Sequence, residues 1–342
     1  MTAPLKLDCA LAMDALGDAG DVARAAEEAG FAGLWANDTK HNPFLALTIA
    51  ALATSRLELG TGIAVAFSRS PMLTAQTAWD LARLSRGRFI LGLGTQVRAH
   101  IERRFGMPWE PPAPKLREYV HALRAIWRTW QDGVPMRIKG TYYNLNLMGP
   151  FFNPGPNPQP SVPIWLAGVN EVLCRLAGEV ADGFILHPIH SVTYVREFVL
   201  RHLAQGLAKA GRARTDLHLY APVITAAGDT PDERSAALAR ARGRIAFYGS
   251  TPTYRLLLEI LGYADVADRL RQMVSAGRMS EIAGQVPDGL LDAIVVQGTY
   301  EDIGHRLRER YAGLVDRVAS YWPFTLDERA GWERMVRAFH EG

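Results

Sequence analysis

The 342-residue chain exceeds the roughly 100 to 200 residues of one ordinary domain, a length that suits either one large α/β barrel or two medium domains. Hydrophobic residues make up 48%, charged residues 21% and aromatic residues 9%, which excludes a disordered, collagenous or coiled-coil chain. The 38 basic and 35 acidic residues leave a net charge of +3 without a block of like charge, which argues against nucleic-acid and membrane-surface partners.

Only Lys6, Lys40, Lys115, Lys139 and Lys209 are lysines, so the positive charge is mostly arginine, the side chain suited to bidentate contacts with phosphate or carboxylate. Cys9 and Cys174 lie far apart in apolar stretches and read as reduced core thiols of a cytoplasmic protein, with neither a disulfide framework nor a metal site expected. The segment from Met1 to Gly17 is interrupted by Asp8 and Asp14 and lacks a basic leader, so it does not read as a signal peptide.

Short apolar runs alternate with helical periods, which is the βα pattern. Strands are predicted at 4–10, 33–36, 57–64 and 88–93, with helices at 19–29, 43–54 and 71–85 between them. The spacing then breaks: 97–105 and 115–131 look helical, and 138–146 looks like an exposed hairpin, so an insertion follows strand four. Six prolines in 150–163 predict a stiff loop packed on the barrel, with Phe151 and Phe152 buried. Strands five to eight are predicted at 164–167, 183–186, 217–226 and 315–322, with helices at 171–180 and 194–211. A second insertion after strand seven carries helices at 231–247, 254–260, 266–276 and 302–311. Eight parallel strands without a clear edge favour a TIM (β/α)8 barrel, 1–342 as a single domain, over a doubly wound sheet.

In such a barrel the reacting groups stand at the C-terminal strand ends. After strand two come Asn37, Asp38, Thr39, Lys40, His41 and Asn42, a polar cluster able to hydrogen-bond a heterocycle or move a proton; Asn42 before Pro43 equally suits a helix cap. Gly60 and Gly62 in strand three point either to close approach of a ligand or to a bulge at the rim. Gly94, Thr95 and Gln96 precede a helix whose free N–H groups suit a phosphate, and Ala167, Gly168, Val169 and Asn170 form a second small-residue turn at a helix start. After strand six, His187 or His190 could face the mouth, or serve as satisfied structural groups.

Several segments carry a resemblance: Gly60-Thr61-Gly62-Ile63, then Arg69-Ser70-Pro71, then the stretch from Leu84 through Arg86-Gly87-Arg88-Phe89 to Gly94-Thr95. Trp165-Leu166-Ala167-Gly168, Ala181-Asp182-Gly183-Phe184 and the run from Phe247 to Tyr254 extend it over nearly the whole chain. The sequence resembles the bacterial luciferase-like flavin and deazaflavin oxidoreductases, and its segments 39–44 and 94–105 resemble the coenzyme F420-dependent subgroup. The resemblance implies a homodimeric oxidoreductase passing hydride between the deazaflavin C5 and a small organic substrate. The alternatives it leaves are an FMN-dependent monooxygenase and a non-catalytic flavin-binding protein.

It further implies a non-proline cis peptide at Gly62–Ile63 beneath the ring, Asp38 and Thr39 beside its reactive edge, and a phosphate held among Gly94, Thr95, Gln96, His100, Ala167, Gly168, Val169 and Asn170. Arg98, Arg103 and Arg104 would make the surface beside a polyanionic tail basic, although at i, i+5 and i+6 of a helix they cannot all face one way and at least one reads as solvated charge. Thr39 and Val97 stand where the sugar-phosphate dehydrogenase branch has histidine and glutamate, so no sugar phosphate is expected. His41 and His187 are then the proton-transfer candidates, with Asp38.

Overall fold

In a computed structural model that describes residues 4–12 and 16–341, eight parallel strands close into a barrel. They are β1 (Lys6–Leu11), β2 (Gly33–Ala36), β3 (Glu58–Thr61), β4 (Phe89–Gly94), β5 (Ile164–Ala167), β6 (Gly183–Ile185), β7 (His218–Val223) and β8 (Arg317–Phe324). Each pairs with its successor, and β8 returns to β1 with Arg317 beside Lys6 and Phe324 beside Leu11, so the ring has no edge and the doubly wound alternative is excluded. Asp14, one of the two acids interrupting the N-terminal segment, lies outside the described residues.

Local chemistry sets the strand-to-helix turns. The helix Ala19–Ala29 stops at Gly30, whose φ of 94° is left-handed backbone that glycine adopts without a Cβ clash. Asn42, Ser70 and Asn170 each accept a backbone N–H at the start of the helices Pro43–Ala53, Pro71–Leu84 and Glu171–Val180. The capping role of Asn42 is therefore real.

Two apolar layers result. Outside the barrel, the strands pack against helices in one continuous cluster that includes both free cysteines, Cys9 and Cys174. Inside, Trp35, Ile90, Trp165, Ile185, Tyr220 and Ala319 fill the axis, with Trp35 stacked on Tyr220 at 4.3 Å between ring centroids. At the N-terminal strand ends Arg317 donates to both oxygens of the buried Asp8, at 2.6 and 2.7 Å, and to Glu58 at 2.5 Å. Trp35 Nε1 donates to the same aspartate at 2.8 Å.

The insertion after β4 comprises the helices Arg98–Arg103 and Pro112–Asp132 and an antiparallel pair, Ile138–Lys139 with Asn144–Leu145. The proline-rich loop packs through its second half, where buried Asn157 donates to the Trp79 carbonyl at 2.8 Å. Its aromatics correct the expectation: Phe151 and Phe152 are 91% and 65% exposed, edge to face on one another. The insertion after β7 contains the expected helices. It also contains the helix Asp288–Ile294 and the strand Val296–Gly298, which pairs with Thr225–Ala227 and was not foreseen. A last helix, Arg329–Glu341, packs against the helices Tyr300–Tyr311 and Ala19–Ala29 and closes the outer ring.

Candidate active site

The chain continuing from β3 crosses the barrel mouth in a bulge. The Gly62–Ile63 peptide is cis, as the resemblance implied, and Ala64–Val65 then resumes pairing with β4. Asp38, after β2, grips both sides of this bulge. Its backbone N–H donates to the Ile63 carbonyl at 3.0 Å, and its carboxylate Oδ2 accepts the Val65 N–H at 3.0 Å and Arg69 Nη1 at 2.6 Å. Arg69 also reaches the Val65 carbonyl and lies over the Phe44 ring. With its side chain only 6% exposed, Asp38 is foremost a buttress, and Oδ1 is the oxygen it has left for a ligand.

The two strand-three glycines separate. A Cβ on Gly60 would lie 2.4 Å from the Trp35 ring, so that glycine makes room for the barrel interior and not for a ligand. A Cβ on Gly62 would meet nothing nearer than 3.4 Å. Gly94 is kept small by Ile63, whose Cδ1 a Cβ there would approach to 2.9 Å. Ile63 and Ala167 thus form a partly exposed apolar shelf packed on the inner cluster.

Beyond the shelf, the ends of β4 and β5 are adjacent, with Leu93 beside Leu166. Gln96 has left-handed backbone, φ 57°, and its Oε1 accepts the Val97 N–H at 2.9 Å. The expected free helix N–H is therefore already bonded, and the helix is only six residues long. Asn170 Oδ1 caps Leu173 at 2.9 Å, and the Val169 carbonyl accepts the Tyr194 hydroxyl at 2.7 Å. A Cβ on Gly168 would strike Leu173 at 2.5 Å. The Thr95 hydroxyl donates to the Gln96 carbonyl at 3.1 Å and would have to turn to meet an anion; the side chains otherwise left for one are the Gln96 and Asn170 amide nitrogens and the exposed His100 imidazole. Of the three arginines nearby, Arg98 pairs with Glu102 at 2.9 Å and Arg104 donates to the Thr39 carbonyl, which leaves Arg103.

The opposite rim is aromatic. His187 stacks on Tyr254 at 4.2 Å and meets Tyr248 edge-on at 4.6 Å, and the Tyr248 and Tyr321 hydroxyls are 3.0 Å apart. Nδ1 of His187 accepts the Ile189 N–H at 3.3 Å, so a proton can sit only on Nε2 of the neutral ring. Burial, reinforced by His190, pushes its pKa down to about 3, so the ring is neutral and offers an Nε2–H donor. His190 sits between the His187 carbonyl and the Tyr311 hydroxyl, a structural histidine. Burial holds the Tyr254 phenol up at about 12, so it stays protonated. His41 is half-buried, with no hydrogen bond or ion pair among the described residues. A cleft of about 180 Å3 opens here, lined by Ala10, Asn37, Thr39, Lys40, Arg244, Tyr321, Trp322 and Pro323. Sequence reading missed Tyr248, Tyr254, Tyr321 and Arg244 as mouth residues; the segment resemblance at 247–254 was the one signal for the two former.

The family profile described as luciferase-like monooxygenase matches residues 3–317. This chain belongs to the luciferase-like monooxygenase family. It is similar to the uncharacterized protein Rv1360 of Mycobacterium tuberculosis, 46% identical over 92% of each chain. It is also similar to a second protein of that organism, named "Putative coenzyme F420-dependent oxidoreductase Rv3520c", 30% identical over 83% of this chain and 84% of the other. The 5,10-methylenetetrahydromethanopterin reductase of Archaeoglobus fulgidus is 29% identical over 89% of each. Among solved structures, the coenzyme F420-dependent tetrahydromethanopterin reductase of Methanopyrus kandleri shares the fold with a TM-score of 0.80, 21% identity and coverage of 98% and 97%. The oxygenating constituent of 3,6-diketocamphane monooxygenase from Pseudomonas putida, in complex with FMN, shares it with a TM-score of 0.69, 14% identity and coverage of 98% and 96%. This luciferase-like protein is an oxidoreductase with a TIM barrel.

Proposed function

We propose that the protein is a coenzyme F420-dependent oxidoreductase acting on a small organic substrate at the barrel mouth. The observation that carries this reading is the shelf and arc together: apolar Ile63 and Ala167 where a flat ring can lie, and beside them uncharged donors and His100 where a phosphate can be held. That donor set suits the group. The deazaflavin, when bound, supplies hydride transfer at C5. The chain's residues do the rest. Gly62 and Ile63 give the ring its floor, and Asp38, with Thr39 next to it, keeps that floor in place through Val65 and Arg69. Thr95, Gln96, His100 and Asn170 anchor the phosphate, with Gly94, Gly168 and Val169 shaping the turn. Whichever of the Tyr248 and Tyr321 hydroxyls does not donate to the other, together with the Nε2–H of His187, supplies the donors on the substrate side, and His41 is the remaining candidate for moving a proton.

The relative named for coenzyme F420 favours this reading over FMN chemistry or passive flavin binding. Titration of the purified protein with both cofactors decides it. Tighter binding of the deazaflavin is expected; tighter binding of FMN, with oxygen consumed in the presence of reduced FMN, overturns it in favour of a monooxygenase. In the same titration Gly62→Val is expected to weaken the cofactor well before it lowers the melting temperature.

The reading includes a cytoplasmic homodimer. Its support is the helix Pro43–Ala53, apolar on all sides, which exposes Leu45, Ile49 and Leu52 in one stripe, while the next helix exposes Leu73. Sedimentation should show two copies, and Leu52→Glu should yield one. Among the described residues no helix is long and apolar enough to cross a membrane.

A further inference from the structure

Arginines that hold this fold together are saturated with partners. Arg88 donates to the Ala51 carbonyl in the last turn of the helix Pro43–Ala53, to the Thr54 and Leu57 carbonyls of the loop before β3, to the Ser85 carbonyl and to the Thr54 hydroxyl, and Arg317 grips Asp8 with two bonds. Arg244 differs. It is only half-exposed, on the helix Pro231–Gly249, and has no hydrogen bond or ion pair among the described residues. What holds it is aromatic: its guanidinium carbon lies 5.6 Å from the Tyr321 ring centre, 5.7 Å from Trp322 and 5.8 Å from Tyr248. Those contacts act on ring faces and leave the N–H fork unspent. Arg240, one turn earlier, lies over the Trp322 ring at 4.2 Å.

Arg244 lines the 180 Å3 cleft at the ends of β1, β2 and β8, and no carboxylate lines it among the described residues. The donor arc sits across the mouth on β4 and β5, so this cation is not part of that arc. A fixed guanidinium with free donors, in a cleft walled by tyrosine and tryptophan, is complementary to a planar molecule carrying one carboxylate, which the fork can bind bidentately. The cleft is smaller than the roughly 300 to 1,000 Å3 of drug-sized sites, which points to one or two fused rings.

We propose that Arg244 is the substrate-selecting residue of this enzyme, receiving the carboxylate of a small planar substrate. The proposal rests on the mouth being the active site, as above. It is tested with 2-naphthoate and neutral 2-naphthamide as probes, titrated calorimetrically into the full-length protein with and without coenzyme F420. The wild type should prefer naphthoate by about tenfold, equivalent to about 1.4 kcal/mol. Arg244→Gln should abolish that preference and leave cofactor affinity unchanged. Arg128→Gln, remote on the helix Pro112–Asp132, should keep the preference. If Arg244→Gln does not fold, Arg244→Lys decides, because the ammonium keeps the charge and loses the fork; its preference should fall at least about threefold. Equal binding of the two probes, no binding of naphthoate, or a preference that survives in the variants overturns the proposal. Naphthoate preference without deazaflavin binding would instead sink the cofactor reading and leave Arg244 in its role.

Discussion

The two ends of the barrel treat charge in opposite ways. At the N-terminal end Asp8, Arg317 and Glu58 satisfy one another and the Trp35 indole; burial by itself lowers the Arg317 pKa, but the Asp8 and Glu58 carboxylates outweigh it and hold the guanidinium above its usual value. At the C-terminal end Arg244, His41 and His100 have no hydrogen-bonded or ionic partner for their side chains among the described residues. The N-terminal end is thus fully paired, whereas the mouth combines the buried Asp38–Arg69 pair with these unpaired side chains, and the two ends should respond differently to the same kind of substitution.

The largest effect is expected at the closed end. Arg317→Met leaves the Asp8 carboxylate buried without its counter-ion and should cost about 3 to 5 kcal/mol in urea denaturation. Arg244→Gln at the open end should cost less than about 1 kcal/mol, as for a half-exposed cation. Similar losses at both would erase the distinction.

Acid should expose the buried histidines next. The folded-state pKa of His190 is lowered to about 4, chiefly by burial, against about 6.5 when unfolded. The unfolded chain thus binds protons first, so its contribution is intact above pH ~6.5 and declines toward pH ~4 by about 3 kcal/mol in all. His190→Asn should flatten the pH dependence of the melting temperature in that window, and an unchanged slope would show that His190 does not set it.

Asp38→Asn should then cost about 1 to 3 kcal/mol by depriving Arg69 of its carboxylate while an amide oxygen can still meet the Val65 N–H. A loss of turnover with full stability would move Asp38 from buttress to catalyst. The smallest pair concerns strand three. Gly60→Ala forces a methyl to 2.4 Å from the Trp35 ring and should cost about 1 to 3 kcal/mol, whereas Gly62→Ala, with ordinary contacts, should change the melting temperature little.

The barrel was legible because parallel strands buried on both faces leave apolar runs of fixed spacing between helix caps such as Asn42 and Asn170. The strand Val296–Gly298 escaped because three residues carry no period, and its partner Thr225–Ala227 lay hidden at the end of a longer apolar run. Gly60 and Gly62 looked alike because glycine signals close approach without naming the neighbour; Trp35, twenty-five residues earlier, is adjacent only through the β2–β3 register, which sets it beside Gly60. The aromatic rim was illegible for the same reason. Tyr248 and Tyr321 lie on different elements far apart in sequence and meet only when β8 closes the ring.

Trp35, Tyr220 and Trp165, fitted against Gly60 and Gly183, plug the barrel axis from wall to wall. A molecule at the mouth therefore has no exit through the barrel, and the cleft of about 630 Å3 at the far strand ends, beside Val162, Asp182 and His218, lies on the other side of that plug. On the proposed function, cofactor and substrate would both enter from the same end of the barrel. Whichever lies deeper has to enter first and leave last, so steady-state kinetics should show an ordered sequence, with excess substrate trapping the deeper ligand in place.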